Sequence, residues 1–124
     1  MSSDHARHNE ALCRFLSTDG RWPDWVITTA FYSALHFVEG KIFPLREDGV
    51  DYPSMSEYCS KGPGHGDAKH NVRMGLVCRE INASYDAYLW LYRSSHNARY
   101  VKYDVDQRVA EKAVSLLDEV IRHC

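Results

Sequence analysis

The segment from Trp22 to Phe43, WPDWVITTAFYSALHFVEGKIF, predicts one long helix that is apolar over half its circumference. At about 100° per residue, Ile27, Phe31, Ala34, Leu35, Val38 and Ile42 fall on one side. Thr28, Thr29, Tyr32, Ser33, His36, Glu39 and Gly40 gather on the other. A solvated helix face is rich in Lys and Glu, whereas this sector carries a single His and a single Glu among hydroxyls. The pattern predicts a helix buried in the protein, presenting two ionisable groups to a neighbour or a ligand.

Helical periodicity continues on both sides. A first helix is expected from Asp4 to Leu16, ended by Ser17-Thr18-Asp19-Gly20, and Pro23 suits the first turn of the next. A third, capped by Asp67, carries the stripe Met74, Val77, Cys78, Ile81, Tyr85, Tyr88, Leu89 and Tyr92, with a break expected at Asn82 or Ser84. The last starts at Asp104 with Gln107 as capping-box partner. Its apolar face holds Val105, Val109, Ala113, Leu116, Leu117, Val120 and Ile121, opposite Arg108, Glu111, Lys112, Asp118 and Arg122. Between the second and third helices, Gly49, Pro53, Gly62, Pro63, Gly64 and Gly66 forbid a continuous helix. Residues 45–66 are therefore expected to form a long mobile loop with a short helical turn around Ser54 to Cys59. No stretch reads as a strand. These elements predict a single all-α domain over residues 1–124, an up-and-down bundle of four to five helices.

A chain of 124 residues builds one core and not two. The formal net charge of −2 gives no overall attraction to nucleic acid, so any such contact needs a local basic patch. The charged start MSSDHARHNE leads us to expect no secretory signal, and no apolar run of the ~18–20 residues that span a membrane is present. Cys13, Cys59, Cys78 and Cys124 form no CxxC pair, which reads as reduced thiols. A cytoplasmic protein without a membrane partner is expected.

Three places carry chemistry. His36 and Glu39 lie three apart on one helix face, where a carboxylate raises the imidazole pKa and fixes its tautomer. His70 and Arg73 repeat that spacing at the start of the third helix, with His70 expected inward and Arg73 at the rim. A guanidinium there matches phosphate in two-point geometry. The segment Tyr92 to Tyr103, YRSSHNARYVKY, combines arginines, a histidine and tyrosines, the residues that phosphate binding and base stacking require. His96 and Arg99 are expected to face inward there, with Arg93 one notch round. Each group has a plain alternative: a packing hydrogen bond, a satisfied core histidine, or basic residues at a helix end. His5 with His8, and Cys59 with His65 and His70, match no zinc spacing, so no metal and no cofactor is expected. Gly62-Pro63-Gly64-His65-Gly66 lacks the GK[ST] ending of a P-loop, and no nucleophile triad is present.

The order of these features resembles the HEPN domain family, small helical proteins of prokaryotic defence and toxin–antitoxin systems. Ala30 to Ile42, AFYSALHFVEGKI, is similar to the family's second helix. His70 resembles the His that opens the helix after a variable loop, and Ala98-Arg99-Tyr100 resembles the element preceding the last helix. Ribonuclease members carry an Arg followed by four to six residues and a His; here Arg93 has His96 only three positions later. The resemblance therefore implies the fold and homodimerisation more than RNA cleavage, and points to the branch that binds nucleotides or works beside a nucleotidyltransferase-like or antitoxin partner. The expected function is binding of nucleotide or RNA phosphate groups by a cluster of His36, Glu39, His70, Arg73, Arg99 and Tyr100, with Arg93 and His96 at its mouth. Two other readings stand beside it: a divergent metal-independent ribonuclease using Arg93 and His96 across a dimer, and a protein-interaction module without a ligand.

Overall fold

The computed structural model describes residues 2–124. Helix α1 (Ser2–Asp19) runs into α2 (Pro23–Ile42) through Gly20, whose φ of +82° suits glycine at a helix end. Pro23 stands in the first turn of α2, where its missing N–H is harmless. This second helix is the central element, packed against α1, α5 and α6. Six consecutive residues, Val26 to Phe31, are buried, so burial surrounds the helix rather than following one stripe. Its quiet polar sector explains itself locally. Thr28 Oγ1 donates to Asp24 O at 2.9 Å, Thr29 Oγ1 to Trp25 O at 2.7 Å, and Ser33 Oγ to Ala6 O of α1 at 2.8 Å. Hydroxyls satisfied by backbone carbonyls can be buried at little cost.

Residues 45–66 hold structure that the polarity pattern does not announce. Strands β1 (Leu45–Glu47) and β2 (Val50–Tyr52) pair antiparallel, Leu45 opposite Tyr52. The expectation of no strand is thus corrected. The connecting Asp48 and Gly49 both have positive φ, 52° and 78°, as a two-residue hairpin turn demands. The expected helical turn follows as α3 (Met55–Lys61), capped by Ser54 accepting from Glu57 N at 3.3 Å. It stops at Gly62, where a Cβ would come 2.5 Å from Tyr52 Cε1, so close approach excludes any side chain.

Helix α4 (Lys69–Glu80) and helix α5 (Tyr85–Tyr100) are separated by a 3₁₀ turn at Asn82–Ser84, where the break was expected. Asp67 does not cap α4: Ala68 holds that position, and Asp67 N closes a turn on Gly64 O at 3.3 Å. Helix α6 (Gln107–Arg122) begins two residues later than Asp104 would place it. Asp106 is its cap, accepting from Arg108 N at 2.7 Å, which makes Gln107 the first helical residue and removes the expected capping box. Ala110, Ala113, Leu117 and Val120 turn inward from α6, the alanines permitting close approach to α2. The fold is a helical bundle with one small hairpin. No helix among the described residues is long and apolar enough to cross a membrane.

Candidate functional site

Glu39 leaves α2 towards α4 and meets Arg73. Arg73 Nε donates to Glu39 Oε2 at 2.6 Å, with Arg73 only 7% exposed. The sequence placed Arg73 at the rim and His70 inside; the structure reverses them, with Arg73 buried and His70 exposed. The reason is the carboxylate across the interface. Helix α4 turns Arg73, Leu76 and Val77 inward together, because a buried guanidinium is tolerated when it is paired. Tyr88 of α5 is buried beside the pair; burial pushes its phenol pKa up, and the Arg73 guanidinium opposes that shift.

With Glu39 committed to Arg73, His36 has other company. Its ring lies edge-on to His5 of α1, centroids 4.9 Å apart, and its Nδ1 is buried without a hydrogen-bond partner. Burial pushes its pKa below the usual histidine value; Glu39 pulls upward, while His5 and Arg73 push further down. An imidazole harder to protonate when folded destabilises the protein only below its unfolded pKa of about 6.5. The penalty grows as pH falls from that value towards the lower folded one and levels off beneath it. His36→Gln should therefore flatten the decline of melting temperature between pH 7 and pH 5 relative to the wild type, and parallel curves would refute this role for His36.

A second group forms on the outer side of α5. Tyr92, His96 and Tyr100 recur every fourth residue, so their rings line up on one side. Centroids are 6.5 Å apart from Tyr92 to His96 and 5.0 Å from His96 to Tyr100. His70 reaches over from α4 and stacks on Tyr92 at 5.4 Å, the planes only 13° apart. His96, expected to face inward, is exposed, and Tyr100 is 68% exposed. Arg99 sits half-buried beside this row. Its NH1 donates to Tyr32 Oη at 2.6 Å and its Nε to Ser95 O at 3.2 Å. The guanidinium also lies 5.2 Å from the Tyr32 ring centroid and 5.0 Å from that of Tyr100. Among the described residues, both hydrogen bonds of Arg99 go to neutral oxygens and no carboxylate pairs with it.

Arg93 stands apart. It is exposed and lines a recess of about 360 Å³ with Asp104, Asp106 and Lys102 at the α5–α6 connection. Arg93 lines that recess, whereas His96 lies in the ring row between Tyr92 and Tyr100. The structure thus groups Glu39 with Arg73, and His70, His96, Arg99 and Tyr100 with one another; His36 and Arg93 belong to neither group. Tyr32, which orients Arg99, is the residue sequence reasoning missed as a site member. Its signal was a phenol in the hydroxyl-rich sector of α2. No group of three or more His, Cys, Asp or Glu side chains able to hold a metal occurs among the described residues.

Comparison with protein families, with curated proteins and with solved structures finds no match.

Proposed function

We propose that the chain is a HEPN-like domain that binds phosphate groups of nucleotides or RNA. It would serve a prokaryotic defence, stress or toxin–antitoxin system as a homodimer beside a nucleotidyltransferase-like or antitoxin partner. The observation that carries the binding is Arg99. A guanidinium fixed by a phenol and a backbone carbonyl, lying against two rings and lacking a carboxylate, retains its charge and donors for an anion. Arg73 lends no such charge, because Glu39 neutralises it. Rings around a free guanidinium favour a nucleotide phosphate over a simple inorganic anion. His70, His96 and Tyr100 supply those surfaces, and the Glu39–Arg73 pair ties α4, which carries His70, to α2.

Adding a nucleotide or a short RNA at a hundred times its dissociation constant should raise unfolding free energy by about 2.7 kcal/mol. Arg99→Gln should abolish that rise. A melting temperature that stays flat across nucleoside mono-, di- and triphosphates and a short RNA would overturn the reading.

A further inference from the structure

We infer that the row His70–Tyr92–His96–Tyr100, in which His70, His96 and Tyr100 are exposed and Tyr92 is half-buried beneath His70, is a stacking platform for the bases of a single-stranded nucleic acid laid along α5, with Arg99 taking a phosphate. The inference rests on the Arg99 reading and adds the class of ligand.

Its first ground is the composition of the row. A solvated face of α5 would carry Lys and Glu at these positions; instead every fourth residue is a ring, and His70 of α4 prolongs the row by one. His70, His96 and Tyr100 are exposed. Core packing does not account for them, and ring faces take bases without regard to sequence.

Spacing supplies the second ground. Four residues of helix advance about 6 Å along the axis, whereas nucleotides stacked in a duplex strand advance about 3.4 Å. A strand that follows these rings must be extended, its bases separated and turned outward. Single strands adopt that form; paired bases inside a duplex cannot. Arg99 lies one residue before Tyr100, its guanidinium 5.0 Å from that ring, so a base on Tyr100 brings its own phosphate within reach of a fixed cation. His96 offers a ring face between the two tyrosines. Three exposed rings set the length of the site, because His70 covers a face of Tyr92 and Phe31 packs against it. A mononucleotide meets one ring and Arg99, and a tetranucleotide reaches Tyr100, His96 and His70.

Fluorescence anisotropy with 5′-fluorescein oligoadenylates of one, two, four and eight nucleotides, at low salt, tests this. Affinity should climb at least tenfold from two to four nucleotides and then level off. His96→Ala and Tyr100→Ala should each weaken the tetranucleotide by about 5- to 150-fold, the range found for loss of one stacked base. Both residues are exposed, so an unchanged melting temperature shows that the variants remain folded. Equal affinity for one and four nucleotides would overturn the platform and leave phosphate binding at Arg99 standing. So would a duplex of the same length binding as tightly as the single strand. Absence of binding at every length, with Arg99→Gln indistinguishable from wild type, would overturn both.

Discussion

Arg73→Met is expected to lower unfolding free energy by about 3–5 kcal/mol, a large share of the about 5–15 kcal/mol typical of a domain. The melting temperature should fall by roughly 10–20 °C. The substitution keeps the aliphatic stem and removes the guanidinium, leaving the Glu39 carboxylate with no counter-charge at a site where its side chain is 15% exposed. Such a carboxylate must either stay ionised in a poor solvent or take up a proton, and both are unfavourable. Glu39→Leu should do comparable damage by stranding Arg73. The double variant Glu39→Leu/Arg73→Met should recover most of the loss, because the desolvation of both charges disappears together. Urea unfolding of the four proteins at pH 7 gives the coupling energy directly. A loss below about 1 kcal/mol in Arg73→Met would place the pair with exposed salt bridges. The pair also ties α4 to α2, so the single variants should loosen His70 from Tyr92 and weaken RNA binding more than their distance from Arg99 suggests.

The rotation of α4 shows what periodicity sees and what it misses. A helical wheel put His70 with Met74, Val77 and Ile81 and set Arg73 aside, because hydrophobicity was its only guide. The structure buries Arg73 because a carboxylate 34 positions upstream waits for it. A partner on another helix is invisible to a local pattern. The same limit separates His36 from Glu39: spacing made them neighbours on α2, yet α1 claims one and α4 the other. Elements set by local rules were legible. Pro23 opens α2, the break falls at Asn82–Ser84, and the alternating faces of α6 match its burial. The hairpin was legible too and was missed. Asp48-Gly49 is a strong two-residue turn signal, but strands of three residues are too short to display alternation. For the site, the cluster of Arg99, His96 and Tyr100 was read from composition. Its outward aspect was not, because a ring stripe on a helix looks like core until the neighbouring helices are in place.

Phe31 joins that outer row to the core, and Phe31→Ala should cost about 3–5 kcal/mol. Its ring is 4% exposed and lies 5.3 Å from Tyr32, 5.7 Å from Tyr88 and 5.7 Å from Tyr92. Truncation opens a cavity beneath both Tyr92, which bears His70, and Tyr32, which bears Arg99. Phe31→Leu separates the two effects. It fills most of the space, so the loss should stay nearer 1 kcal/mol, while the aromatic contacts that set the Tyr32 and Tyr92 rings are gone. If the outer row works as a positioned surface, Phe31→Leu should bind the tetranucleotide several-fold more weakly than wild type at a temperature where both proteins are fully folded. A variant that loses stability but binds like wild type would mean that Phe31 serves the core alone and that the ring row holds its geometry without it.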